Sequence, residues 1–458
     1  MAVWRNHELE ELVGGSLDAT GITEASAARL TMEDARESEV LEFKAKLWGS
    51  ADRQNPKPGQ ELAKDVGSFA NLRGGLILVG IEEGPSGVAA QLRPLGATLD
   101  RDREERRLKQ TLAVHMTPHA ETQFVWIPVA AGGWLCAVIV PPSRHAPHAV
   151  LVDREGGLRY PVRYGSAVRW LSEHEVADRY RRRHAGAADV ARRVDEISQQ
   201  GSRTLRGAGG LWLHASAVPE TPSGSKLDKE TVDRIDGWHR TTTMLSPLGR
   251  HISAYGRGIP APGRVTFTGA RRTDQQDETE VRDAYVELHV DGAALAATPI
   301  AERTDDDGAG RDVGEITLVD DSILLIDLVL RWAREQAGAW GTATVTLGIA
   351  GSLDVKGPIR LVTSTGSRLA QLEGTRELFE DFLTQTVADL AAVDTVQQRL
   401  SVAHAALSAV LQHFGLAEPS QLARDGTIVP GQFGMSKYRA VERWALDRGV
   451  QAERLREV

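Results

Sequence analysis

The period of the hydrophobic pattern changes twice between residues 38 and 81, and this limits the folds open to the chain. In "SEVLEFKAKLW", Leu41, Phe43 and Ala45 alternate with Glu42, Lys44 and Lys46, the period of a half-buried strand. In "QELAKDVGSFANLRGG", Leu62, Val66, Phe69 and Ala70 recur at helical spacing, and Gly74 and Gly75 suit a left-handed helix cap. "LILVGI" then reads as a short buried strand and "EEGPSG" as a turn.

Further on, a charged helix is predicted over roughly 100–116. "ETQFVWIPVA" and "WLCAVIVPPS" flank "AGG" as a hairpin, and "HAVLVD" and "LRYPVRYGS" flank "REGG" as a second. "LSEHEVADRYRRR" opens on a capping box, Ser172 with Glu175. Helices interleaved with hairpins predict an α+β domain of mixed sheet and helices, not a doubly wound sheet.

The expected organisation is an N-terminal helical extension (1–35), this α+β domain (36–185), a linker (186–209), a second α+β region (210–365) and a C-terminal helical region (366–458). The linker rests on "GSRTLRGAGG". Strand-like runs such as "GLWLHASAV" and "TATVTLGIA" surround the helix "DSILLIDLVLRWAREQ". The stretch from "TRELFEDFL" to Gly415 reads as one long helical segment, with a last helix near 435–456.

A chain of 458 residues exceeds one ordinary core. No apolar run approaches the ~20 residues of a membrane helix. The N-terminus lacks the basic-then-apolar order of a secretory signal. The single cysteine, Cys136, lies in an apolar run and excludes an internal disulfide. Together these predict a cytoplasmic protein with no membrane partner. The net charge of −9 belongs almost wholly to the second part, because residues 1–185 hold 24 Lys and Arg against 25 Asp and Glu. Overall acidity therefore does not exclude a local nucleic-acid site.

Glu42 and Lys44 are two apart and share a strand face. Glu37 reaches the same area if the chain bends near Ser38. Glu82 and Glu83 follow "LILVGI" and approach Glu42 if the two strands pair. Carboxylates held close repel unless a cation sits among them. Mg²⁺ or Mn²⁺ suits such oxygens and phosphodiester chemistry. Spacing alone leaves two readings open and favours the simpler one, a solvated strand face.

"ESEVLEFKAK", "VGSFANLRGGLILVGIEEG", "VIVPPS" and "YPVRYGS" occur in this order. Together they resemble the Schlafen AlbA_2 domain, a family also labelled divergent AAA or ATP-binding, over about residues 36–185. The resemblance implies a metal-dependent endoribonuclease acting on tRNA or rRNA. It implies Glu37, Glu42 and Glu83 as the acids that hold Mg²⁺ or Mn²⁺, with Glu82 the near alternative to Glu83, and Lys44 as the catalytic lysine. The animal nucleases carry aspartate at the third position, one methylene shorter. Their two-lobed cleft implies a homodimer here, or a second lobe from the rest of the chain, and a toxic ribonuclease would suit antiphage defence. Many bacterial relatives imply instead a non-catalytic regulator that binds RNA or DNA.

Other features fit around this. Arg159, Arg163, Tyr164 and Arg169, with Lys46, are candidate nucleic-acid contacts. Arg159, Pro161 and Arg163 are expected on one strand face. "FANLRGG" lacks the spacing of a phosphate loop and gives the ATP-binding label no support; Asn71 is expected to bond backbone at that turn. His145 and His148 read as loop residues, not a zinc pair. "RRR" at 181–183 reads as a solvated helix end.

Overall fold

The computed structural model describes residues 4–49, 57–152, 157–208, 210–222, 227–242, 246–252, 257–269, 284–302, 311–351, 357–365 and 368–453. The chain forms two compact units, divided between Asp189 and Val190, with residues 338–341 grouped with the first. Helices and mixed sheets make both α+β.

In the first unit, α1 (His7–Val13) and α2 (Glu24–Met32) precede β1 (Leu41–Lys44). The helix α3 (Pro58–Ala70) returns the chain to β2 (Gly75–Val79), which pairs parallel to β1, Leu41 opposite Leu76 and Lys44 opposite Val79. Gly74, at φ +77°, makes the sharp exit from α3; an added Cβ would lie 2.6 Å from the Val140 carbonyl oxygen. Gly80, at φ +96°, ends β2. "LILVGI" is therefore not one strand: Ile81–Glu83 forms a separate strand β3, paired antiparallel with β4 (Ala89–Leu92).

The remaining elements are α4 (Arg101–His115), β5 (Met116–Thr117), and the predicted hairpin of β6 (Gln123–Pro128) and β7 (Trp134–Val140). Next come β8 (Ala149–Leu151), β9 (Leu158–Arg159), and the hairpin of β10 (Pro161–Tyr164) and β11 (Ala167–Trp170). The main sheet runs β1-β2-β7-β6, and Leu62, Val66 and Phe69 of α3 pack with Leu108 and Leu112 of α4 on Ile77, Val79 and Val138. Cys136 is buried in this core, which pushes its thiol pKa up. The turn of the expected hairpin at "REGG" lies largely outside the described residues, but β8 and β9 do pair.

The expected linker is helical. The helix α5 (Glu173–Ala208) opens where predicted, the Ser172 N–H and hydroxyl both donating to the Glu175 carboxylate, and continues through residues 186–208. Consequently "RRR" lies inside a helix, not at its end. Glycine at 201 marks a contact: a Cβ there would sit 2.3 Å from Leu295 Cδ1.

In the second unit, β12 (Leu211–Thr221) and α6 (Lys229–Thr241) lead into β13 (Ile259–Ala261), β14 (Arg264–Thr268), β15 (Tyr285–His289) and β16 (Ala294–Pro299). Two short strands, β17 (Ala301–Glu302) and β18 (Asp312–Gly314), come before α7 (Glu315–Arg331), then β19 (Trp340–Gly351), β20 (Arg360–Thr365), β21 (Arg368–Gln371) and β22 (Phe382–Asp389). The helices α8 (Val396–Phe414) and α9 (Tyr438–Asp447) finish the unit. Seven strands form one sheet, β13-β14-β15-β16-β12-β19-β22.

The long C-terminal helix is thus only half present. Residues 382–389 are a strand because Thr384 and Ala388 alternate inward while the backbone pairs with β19. A Thr395–Gln398 capping box starts α8, and α9 is shorter than expected. Among the described residues no helix is long and apolar enough to cross a membrane.

The Gly201 contact predicts that Gly201→Leu is destabilising by about 1–3 kcal/mol through overpacking, despite the better helix propensity of leucine. Urea denaturation should show a lower midpoint with an unchanged m-value.

Candidate functional site

β1 is not half-wet. Glu42 points to the side covered by α3 and β10 and is only 7 % exposed. A single acid buried there requires counter-charges, and the fold supplies two. Arg163 of β10, 3 % exposed, donates to Glu42 Oε2 at 2.6 Å. Lys44 Nζ lies 2.7 Å from Glu42 Oε1 and 3.0 Å from Asp65 Oδ2. Asp65, on α3 and 2 % exposed, also accepts the Trp48 indole N–H at 2.9 Å.

Two carboxylates and two cations therefore balance. Burial pushes the Asp65 carboxyl up and Glu42 adds to the rise, against Lys44, Lys64 and Trp48. For Lys44, burial works against the ammonium, but Asp65 and Glu42 outweigh it and the pKa goes up.

Glu37 stands beside this network. The expected bend is present: the Ser38 N–H donates to the Leu41 carbonyl at 3.0 Å, and Arg163 caps the Ser38 and Leu41 carbonyls at 2.9 and 3.2 Å. The bend folds Glu37 Oε1 back onto the Phe43 N–H at 2.9 Å. Its carboxyl is pushed up by burial and by the charges of Glu83 and Glu42, with Phe43 and Arg163 opposing.

Glu83 is exposed and acts on Glu37. Glu82 instead meets Gln91 Nε2 at 2.9 Å and Arg93 at 3.1 Å. The register of β3 shifts between Glu82 and Glu83, so the two acids part, and Glu83 is the one whose charge bears on Glu37.

Glu37, Glu42 and Glu83 are therefore neighbours, but not as a three-carboxylate cage. Both Glu42 oxygens are taken by cations, and among the described residues no group of three His, Cys, Asp or Glu is arranged to hold a metal ion. Glu37 and Glu83 are the two of these acids whose oxygens are not both taken by cations, and a Mg²⁺ or Mn²⁺ bound by only one or two carboxylates would have to use them. Glu42 fits the role of a fixed partner to Lys44.

The aromatic hairpin is split. Arg159 and Arg163 do not share a face, because β9 pairs with β8 while β10 pairs with β11. Arg163 is buried as the Glu42 counter-ion and is no nucleic-acid contact. Its guanidinium also lies 4.7 Å from the Phe69 ring centroid. Arg169 is exposed but forms a two-point pair with Glu175, at 2.9 and 2.6 Å. Lys46, Arg159 and Tyr164 are exposed as expected, with Arg159 over the Trp170 ring.

Asn71 does more than close a turn. Its Nδ2 donates to the His148 and Pro161 carbonyls at 2.9 and 2.8 Å, and its Oδ1 accepts the His148 N–H at 2.6 Å. His148 is buried, its pKa pushed down to about 4 by burial. Sequence reasoning missed Asp65, although it occupies the apolar stripe of α3 between Leu62 and Phe69. An acid at such a position signals a buried partner.

Residues 37–172 match the model of the Schlafen, AlbA_2 family. The chain therefore carries a Schlafen AlbA_2 domain in its first unit. Among solved structures, it is similar to the N-terminal domain of a RecG-related protein from Nitrosomonas europaea, at 21 % identity and TM-score 0.22, over 32 % of this chain and 95 % of that one. It is also similar to the DIP2311 protein of Corynebacterium diphtheriae, at 20 % identity and TM-score 0.22, over 34 % of this chain and 32 % of that one. No curated protein matches the chain.

Arg163→Ala would leave Glu42 buried beside a single cation, and a loss of about 3–5 kcal/mol in urea denaturation is expected. The sign for Glu37 is different. Its folded pKa is above the unfolded one, so the folded state binds more protons and stability falls as pH rises from the ordinary carboxylate range through the raised value. Glu37→Gln should remove that fall. Relative to wild type, the variant should gain stability as pH rises above the ordinary carboxylate range, measured by parallel urea titrations.

Proposed function

We propose that this domain is a divalent-metal-dependent endoribonuclease of the Schlafen type, acting on tRNA or another structured RNA. One arrangement supports the reading: the bend at Ser38 folds the Glu37 carboxylate onto the Phe43 N–H, between Glu42 and Lys44 in the strand, where burial and the charge of the exposed Glu83 push its pKa up, and Lys44 is held by two buried acids. Like charges gathered at a half-open edge favour a bound cation.

Glu37 and Glu83 would hold Mg²⁺ or Mn²⁺, which supplies charge neutralisation and a water of lowered pKa when bound. Lys44, whose side chain is 26 % exposed, would stabilise charge on a phosphate. Glu42 and Asp65 hold its ammonium in position, and Arg163 holds Glu42. Lys46, Arg159 and Tyr164 offer exposed contacts for phosphates and an unpaired base. A homodimer would supply the second wall of a cleft, and antiphage defence would suit the activity.

A second reading, a nucleic-acid-binding regulator without catalysis, is favoured by the closed charge balance around Glu42. Incubation of the purified protein with tRNA, rRNA and DNA, with Mn²⁺, Mg²⁺ or chelator, separates the two. Metal-dependent RNA cleavage is expected, reduced about 10²–10³-fold in Lys44→Met and abolished in Glu37→Gln and Glu83→Gln. Binding without cleavage under every metal condition would establish the regulator instead. Absence of both binding and cleavage sinks both readings.

A further inference from the structure

The seven-stranded sheet of the second unit ends on two edges of opposite character. At one, β13 has three residues and carries Pro260 at its centre. Proline offers no N–H and blocks a further strand. At the other, β22 has eight residues, "FLTQTVAD", without lysine, arginine or proline. Its pairing with β19 runs from Phe382 to Asp389 with no bulge. Among the described residues no other strand pairs with it. Short length, proline, lysine and bulges are the devices that keep an edge unpaired, and β22 has none of them.

The edge is held ready. On one face, Phe382 stacks on His413 of α8 with ring centroids 4.4 Å apart, and Thr384 and Ala388 are buried. The Thr384 hydroxyl donates to the Leu347 carbonyl of β19 at 2.8 Å. On the other face, Leu383, Gln385 and Val387 are exposed, Val387 to 67 %. β22 is fixed before any partner arrives, so pairing orders little new backbone. A sheet edge of this kind, beside exposed apolar side chains, suits an incoming strand.

The sequence of β22 selects its own copy. Between Phe382 and Ala388 it carries no charge, so two copies approach without like-charge repulsion. Antiparallel pairing about Gln385 sets Leu383 opposite Val387 twice, and Thr384 opposite Thr386 twice. A shift by two residues either way would set Leu383 against Asp389 or Val387 against Asp381. The ends match in charge as well. The exposed Arg206 of α5 donates to Asp381 at 2.8 and 3.0 Å. Asp389 is exposed and accepts the Ala391 N–H at 2.9 Å. In this register it stands against the Arg206–Asp381 pair of the second copy, where the guanidinium answers its charge. We propose that β22 pairs antiparallel with β22 of a second copy about a two-fold axis at Gln385, so that two seven-stranded sheets become one. Such a contact is isologous and closes at the dimer. It involves the second unit alone and holds whether or not the first unit cuts RNA.

Sedimentation equilibrium of the full chain from about 1 to 100 µM should show a monomer–dimer equilibrium. Gln385→Lys sets two lysines opposite each other at the axis and should weaken the dimer about tenfold or more, with unchanged circular dichroism. Gln385→Cys should form a disulfide-linked dimer under oxidised glutathione, because opposite Cα atoms of antiparallel strands lie about 4.5–5.5 Å apart. Cys136 is buried and does not compete. Leu383→Cys should not cross-link, because its two copies would lie about 13 Å apart along the strands. A chain that stays monomeric over this range overturns the proposal and leaves the edge to a foreign strand. So does a dimer that Gln385→Lys leaves as tight as before, or one in which Gln385→Cys fails to cross-link or Leu383→Cys cross-links equally well.

Discussion

Glu42 has almost no contact with water, and the arrangement of the AlbA_2 domain follows from how its charge is met. A buried carboxylate without partners would protonate or unfold the site. Here Lys44 arrives from the same strand and Arg163 from a hairpin far along the chain, and Lys44 in turn ties Asp65 of the helix α3 into the network. Each partner fixes the element that carries it. The parallel β1–β2 pair, the α3 crossover and the β10–β11 hairpin are thereby tied at one point, with Asn71 making a second tie between α3, His148 and Pro161.

Such a network favours specificity over strength. Replacing a buried ion set by apolar groups often costs nothing, whereas removing one member is severe. Its effect at the site is to sort the acidic residues. Glu42 holds Lys44, while Glu37 accepts the Phe43 N–H and Glu83 stays exposed. Gly80 makes this sorting possible by ending β2 and letting β3 leave the main sheet, so that Glu82 and Glu83 diverge.

Much of this was legible in the sequence as periodicity. The strand at Leu41–Lys44, the helical stripe through Leu62 and Phe69 and the hairpin around residues 129–133 are local patterns, and each element formed as read, although Glu42 is buried where alternation gave its face to solvent. The ordered motif blocks identified the domain. What was hidden was tertiary. Nothing near Arg163 says that it faces Glu42 and not a phosphate, and the strand-like surroundings allowed either. Helical spacing also fits "FLTQTVADL", and only pairing with β19 makes it a strand. Conversely, Gly201 in "GSRTLRGAGG" looked like a linker residue because its reason, the approach of Leu295, lies elsewhere in the chain.

The separation of Glu42 from Arg163, 121 residues, has a consequence for biogenesis. A ribosome adding about 5–20 residues per second takes roughly 6–24 s to cover that interval. Throughout it Glu42 lacks Arg163 and is left with Lys44, which it shares with Asp65. The charge set around Glu42 is therefore completed only when the β10–β11 hairpin docks.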